Sequence, residues 1–408
     1  MAARSAVPSL LATLIVLSAC TDHGPTSAPI TASRSGLPFA SGLASPAWQA
    51  LGASQAIGLT PPVGSLNPLQ SAHAYALLGV AQYLAVQQAD AAAGSEGRSQ
   101  LEAERGAVAG ASAVVLTYLF PGGAQADAAL VAEQSSAGPG QPNPWFTRGE
   151  AIGRDVGATI VARARIDGFG AVVNPVVPIG PQYWTSNTPT AILAGRELPG
   201  VTPWFLTSAS QFRPGPPPDI TSAAFIDALA EIHTLSLNPT TAHSNIAAYW
   251  ALNAGSVTAA GFWLQVATDG INARGLSERE ATHLYALASA TMFDAAIGCW
   301  DAKLTYWLIR PWKADLAIIP LASVGKPNHP SYPSGHSCVS SSGAEVLSTF
   351  FPEDRDRLSA MVIEAGLSRM YGGIHYGFDI TAGQELGHNV ARFTIAADAS
   401  GNSVLTPH

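Results

Sequence analysis

Between Ser71 and Ala91 (SAHAYALLGVAQYLAVQQADA) apolar residues return every three or four positions, the period of one face of an α-helix. The same rhythm predicts helices over about 97–118, 146–166, 221–235, 241–253, 256–272 and 277–310, and again from His336 to Phe351. Clusters of Gly, Pro and Asn separate several of these runs and read as breaks. Alternating runs are scarce, so no sheet is expected. The interval 168–220 is rich in Pro and aromatic residues (VVPIGPQYW, LPGVTPWF, QFRPGPPP) and keeps no helical period. A long irregular stretch inside a domain is usually a lid or a packed excursion, and this one is expected to cover the entrance of a site. The pattern as a whole predicts an all-α protein built as one large helical bundle.

Composition supports that picture. Hydrophobic residues make up 47% of the 408 positions and charged residues 12%, which suits a sizeable core and excludes a disordered chain. The net charge is −8 with scattered Lys and Arg, which argues against nucleic acid as the main partner. At the N-terminus, Arg4 precedes the apolar run Leu10–Leu17, too short for a span of about 20 residues. Leu17-Ser18-Ala19-Cys20 then has the form of a bacterial lipobox. Residues 1–19 are therefore expected to be a lipoprotein signal peptide, with a plain secretory signal as the alternative. Cys20 would be lipidated, tethering an exported protein to a membrane at the periplasm or cell surface. Residues 20–65, rich in Ser, Pro, Gly and Ala, read as a flexible linker ahead of a helical domain over 66–402. Cys299 and Cys338 are open to two readings, a disulfide or two buried thiols.

Three short motifs follow in order between 300 and 380: Lys303-x6-Arg310-Pro311, Pro333-Ser334-Gly335-His336, and Ser368-Arg369-x5-His375-x3-Asp379. Seven residues are two helical turns, so Lys303 and Arg310 are expected on one helix face, with Pro311 marking the helix end. Ser334 and Gly335 precede a helix-like run, where free backbone N–H groups and the positive end of the helix dipole favour an anion. His375 is expected to open the last helix, with Asp379 one turn on to orient its ring and fix its tautomer. Together the motifs supply three permanent cations, hydroxyl and amide donors and two histidines, an inventory suited to a tetrahedral oxyanion approached by imidazole.

These motifs resemble those of the superfamily that unites type 2 phosphatidic acid phosphatases (PAP2), bacterial acid phosphatases and vanadium-dependent haloperoxidases. The segments FIDALAEIHTLS, NIAAYW and MFDAAIGCWDAKLTYWLIRPW extend the likeness to bacterial haloperoxidase-like members. The resemblance implies that Lys303, Arg310, Ser334, Gly335 and Arg369 bind the oxyanion and that His336 is the acid–base histidine. It implies that His375 coordinates vanadium or, in a phosphatase, attacks phosphorus. Trp300 and His329 match positions that line the halide side in haloperoxidases. The expected activity is vanadate-dependent oxidation of halide by hydrogen peroxide, with small-molecule acceptors. The alternative is hydrolysis of phosphomonoesters through a phosphohistidine, which needs no cofactor. Two competing readings are a phosphate-binding surface lipoprotein without activity, and a di-iron bundle built on Glu280-x-x-His283, Glu385-x-x-His388 and an inward carboxylate such as Glu231.

Overall fold

The computed structural model describes residues 42–58, 65–93, 97–135 and 143–406. Residues 1–19, expected to be a signal peptide, and Cys20 lie outside the described residues. Thirteen α-helices follow one another: α1 (Ser45–Ala56), α2 (Pro68–Ala93), α3 (Gly97–Leu119), α4 (Ala124–Ser135), α5 (Pro144–Ala164), α6 (Ala223–Leu237), α7 (Thr241–Tyr249), α8 (Thr258–Arg274), α9 (Glu278–Tyr306), α10 (Pro311–Ala314), α11 (Gly335–Phe350), α12 (Arg355–Tyr371) and α13 (Gly377–Ala399). The described residues form no strand, and a single β-bridge pairs Tyr183 with Leu308. None of their helices is long and apolar enough to cross a membrane.

The axis of the bundle is α9. Ser277 and Glu280 form a capping box at its start, and Glu278 and Glu280 place negative charge on the positive end of its dipole. From Ala281 to Lys303 nearly every side chain is buried, on all faces, as expected of a helix enclosed by others. Helices α2, α8, α11 and α13 pack directly on it. Helices α3 and α5 add an outer layer behind α2, while α12 covers α11 and carries α6 and α7. The described apolar interior divides into a large core containing Trp300 and Cys338, a smaller one around Leu308, Ile374 and Tyr376, and a third of Trp184, Leu193 and Trp307. The three motifs lie where the first two meet.

Two expectations about the chain's course are corrected. Residues 45–56, placed in the linker by composition, form α1 and are packed into the domain. Trp48 is fully buried, with its indole N–H donated to Gln134 at 2.8 Å. The Glu278 carboxylate accepts the N–H groups of Ala44 and Ser45 at the start of this helix. Burial of Trp48 and that carboxylate hold a helix that its Ala, Ser and Gly content does not announce. The helix expected over 277–310 stops at Tyr306, because Trp307 turns left-handed (φ 54°, ψ 29°). Two hydrogen bonds then draw the chain alongside the irregular segment, Trp184 N–H to Trp307 O at 2.6 Å and Ile309 N–H to Gln182 O at 2.9 Å.

The 168–220 interval has no α-helix, as its composition implies, and is pinned to α9 by buried acids. Asp294 is fully buried and accepts the N–H groups of Trp204, Phe205 and Leu206 at 2.8, 2.8 and 3.1 Å. Arg213 forks onto Asp301 at 2.6 and 2.8 Å. Because a hydrogen bond to a charged group contributes about 1.5–3 kcal/mol, Asp294→Ala is expected to lower the unfolding free energy by about 3 kcal/mol. Denaturant titration checks this; a loss within about 0.5 kcal/mol would show that the segment does not depend on this carboxylate.

Candidate active site

A cavity of about 340 Å³ opens between α9, α11 and the loops that follow them. Trp300, His329, Gly335, His336, Arg369 and His375 line one side of it. Lys303, Arg310 and Ser334 form the layer behind. The structure thus gathers the residues of all three motifs, but not on the supports expected. Lys303 is on the last turns of α9, whereas Arg310 lies beyond the helix in extended backbone (φ −79°, ψ 151°) as the N-cap of α10. They do not share a helix face. Pro311 starts the short helix α10 and does not end α9.

Ser334 is the N-cap of α11, its hydroxyl accepting the Ser337 N–H at 3.3 Å. The N–H groups of Gly335 and His336, first in the helix, have no carbonyl one turn back to bind. Helix α13 presses against this turn through glycines. A Cβ on Gly383 would stand 2.7 Å from the Ser334 carbonyl, and one on Gly387 would stand 2.3 Å from that of Cys338. The approach lets Ser334 N–H reach the Asp379 carbonyl at 2.9 Å, locking the start of α11 to the start of α13. His375 sits just outside α13, which begins at Gly377 with Tyr376 as N-cap. It nevertheless pairs with Asp379, Nδ1 to Oδ2 at 2.8 Å.

The tautomer of His375 follows from its neighbours. Arg310 Nη1 lies 3.1 Å from His375 Nε2, and a guanidinium can only donate. Nε2 therefore carries the lone pair, and the proton on Nδ1 is donated to Asp379. Ser331, which sequence reasoning missed, donates its hydroxyl to the same Asp379 oxygen at 2.6 Å. His329 Nδ1 lies between Arg310 Nη2 at 3.1 Å and the Pro330 carbonyl at 3.2 Å. The indole N–H of Trp300 is held by the Ala194 carbonyl at 2.8 Å, so the irregular segment forms part of the cavity wall. His336 Nε2 is buried with no partner. The carbonyls of Trp250 and Ala251 lie beside that ring, on a loop where Leu252 and Thr258 both take positive φ (43° and 62°). Nothing in the composition of that loop signals its place at the site.

The electrostatics are lopsided. Lys303 and Arg310 are fully buried and Arg369 is 1% exposed, and among the motif residues Asp379 is the only acid that faces them. Burial pushes the Lys303 ammonium down to about 8, the Arg310 guanidinium down to about 10 and Arg369 down to about 9. Burial, reinforced by the neighbouring cations, holds His329, His336 and His375 well below the usual imidazole range, so all three rings are neutral at pH 7. Burial lifts Asp379 to about 6, against the pull of Ser331, Lys303 and Arg310. Buried charge without a partner is costly, and this cluster is one or two negative charges short. Lys303 supplies charge more than donors. Its three N–H groups are taken by the carbonyls of Pro330 at 3.0 Å, Ser331 at 2.8 Å and Pro333.

The other readings of the sequence find less support. Cys299 and Cys338 are both buried free thiols, with no disulfide. Glu280 caps α9, His283 bonds Asp398 at 2.7 Å and His388 pairs with Glu345 at 3.3 Å. Among the described residues no group of His, Cys, Asp and Glu is placed to hold a metal ion, which removes the di-iron arrangement.

Residues 280–399, which carry all of these motif side chains, match the family model of the PAP2 superfamily. The likeness to that superfamily is carried by this C-terminal region. The chain is similar to a non-specific acid phosphatase of Providencia stuartii, 30% identical over 114 residues. That match takes in 26% of this chain and 44% of the phosphatase, so the chain spans under half the length of that curated relative. Beyond the PAP2 region the whole fold has solved counterparts. A bacterial vanadium-dependent iodoperoxidase superposes with a TM-score of 0.72 at 22% identity, over 86% of this chain and 95% of that one. A bacterial vanadium-dependent chloroperoxidase in its holo form gives 0.65 at 14% identity, over 86% and 96%. The helical architecture is shared with both.

The depressed Lys303 ammonium makes a test of the charge imbalance. Its folded value of about 8 lies below the ordinary 10.5, so between these limits the unfolded chain binds more protons than the folded one. Stability of the anion-free protein is therefore expected to gain a contribution as pH rises from about 8 to about 10.5. Thermal unfolding of wild type and Lys303→Met across that range checks it: the gain should be smaller in the variant, where only the depressed Arg369 and Arg310 contribute, and shrink with saturating orthophosphate. An equal gain in Lys303→Met would show that Lys303 does not contribute to it.

Proposed function

We propose that the chain is a vanadium-dependent haloperoxidase, binding vanadate at His375 and using hydrogen peroxide to oxidise halide. The observation that carries the oxyanion is the set of three buried cations without matching acids, beside a neutral imidazole whose Nε2 lone pair is fixed by Arg310 and Asp379. The donor set fits a tetrahedral anion: the Arg369 guanidinium, the N–H of Arg310 not taken by His329, Ile374 and His375, and the first-turn amides of Gly335 and His336, with the unpartnered Nε2 of neutral His336 as a proton acceptor beside them. Arg310 and Arg369 would bind oxygens, Lys303 would add charge and hold the 330–333 loop, and His375 Nε2 would be the coordinating atom. When bound, vanadate supplies Lewis acidity that makes peroxide reactive toward halide. His336 holds or releases a proton at Nε2, Asp379 keeps the His375 proton on Nδ1, and Trp300 and His329 wall the side where halide would approach.

The choice of peroxidase is supported by fold likeness over nearly the whole of the iodoperoxidase, against 44% of the acid phosphatase. The second reading, a PAP2-type phosphatase, is favoured by the 30% identity to that acid phosphatase over 114 residues. In it, His375 Nε2 attacks phosphorus, the ester P–O bond breaks as His336 protonates the leaving alcohol, and water then cleaves the N–P bond. Export by residues 1–19 and lipidation at Cys20 belong to the same proposal, placing a tethered enzyme at the periplasm or cell surface.

The full chain should be assayed for bromide and iodide oxidation by peroxide after loading with orthovanadate, beside p-nitrophenyl phosphate hydrolysis without it. Vanadate-dependent halide oxidation is expected; ester hydrolysis with no halide oxidation at any pH would select the phosphatase. His375→Ala is expected to abolish whichever activity is found. Asp379→Asn should lower kcat by about 10²–10⁴-fold, the scale seen when a histidine loses its tautomer partner. Full activity in either variant would displace the site.

A further inference from the structure

The cavity is larger than the chemistry at its charged side needs. A dry cavity of roughly 150 Å³ suffices for benzene, and a tetrahedral oxyanion is smaller than benzene. This one has about 340 Å³. Part of its lining is wholly apolar: Leu69 and Ala72 of α2, Ala259 and Ala260 of α8, Ala296 of α9 and Val339 of α11. All six are under 10% exposed, and none carries a polar side-chain atom. Four are alanines on three different helices. Longer side chains at those positions would fill the space and bury more apolar surface, so the small residues are what keep it open.

We propose that this apolar annex binds an uncharged organic molecule the size of one or two fused rings. Lys326, Asn67, Asn253 and Asn328 line other parts of the cavity, whereas these six residues offer dispersion and apolar burial but no ion partner, so a charged group against them would lose its hydration without compensation. An uncharged ring would leave water and face Trp300 and the oxyanion groups. Its role as acceptor rests on the haloperoxidase reading; its binding does not. In that role a ring C–H is replaced by C–halogen. Halide gives up two electrons, hydrogen peroxide takes them and, with the ring proton and one from solvent, leaves as two waters. The acceptor is then held beside the site of halide oxidation rather than met by diffusion.

Indole is the probe, titrated calorimetrically into the full chain with and without orthovanadate. Saturable binding to wild type is expected, weakened at least tenfold by Ala260→Leu and by Ala296→Leu, two fillers on different helices. A measurement that needs no variant is photolabelling by phenyl azide. Attachment should map to peptides containing Leu69–Ala72, Ala259–Ala260 or Val339. Absence of saturable binding, equal affinity in both variants, or labelling confined to other segments would overturn the annex. Indole binding without halide oxidation would remove the haloperoxidase reading and leave the annex standing. Halide oxidation with no indole binding would do the reverse.

Discussion

Three cations are held inside the protein, and among the described residues one carboxylate, Asp379, acts on Lys303 and Arg310. Desolvation alone would expel or neutralise such a cluster, and the depressed Lys303, Arg310 and Arg369 register that pressure. What keeps them in place is main chain: Lys303 on three carbonyls, Arg310 on those of His329 and Ile374, and Arg369 on that of Ala247. Carbonyl dipoles lower the cost of burial without cancelling the charge. An incoming anion therefore meets a preorganised positive site that has not already been satisfied by acids.

The rest of the bundle serves that arrangement. Enclosure of α9 on every side excludes water from its last turns, and the break at Trp307 delivers Lys303 and Arg310 from two directions instead of one face. The pinned segment 168–220 closes the wall at Ala194 and supplies the short bridge that causes the break. Glycines on α13 let Asp379 come under the first turn of α11, so one acid both orients His375 and meets the backbone at Ser334.

The fold class and the gathering of the three motifs were legible because helical periodicity and residue types at fixed spacing are local signals. The errors have one common cause, which is tertiary contact overriding local pattern. Trp307 ends a helix that periodicity would carry to Arg310, since pairing with 182–184 outweighs the two hydrogen bonds and more of helix that are lost. Helix α1 is invisible to composition because Glu278, distant in sequence, caps it. Ser331 stood beside a motif already singled out, in the run His329-Pro-Ser-Tyr-Pro-Ser-Gly-His, and a hydroxyl two residues after a candidate site histidine was a usable clue. The Trp250–Thr258 loop and the alanine wall carried no such clue, because their meaning lies in what faces them.

The seat of α13 on α11 has a further consequence. Where Gly383 and Gly387 meet the other helix they face its carbonyls and the short side chains of Ser337 and Ser341, so the distance between the two helix starts leaves almost nothing to lengthen or shorten. The walls, by contrast, are made of replaceable side chains. Such a molecule can be retuned to a new reaction by altering what surrounds the anion while the mould that shapes it stays rigid, and a single scaffold can in this way serve chemistries as different as ester hydrolysis and halide oxidation.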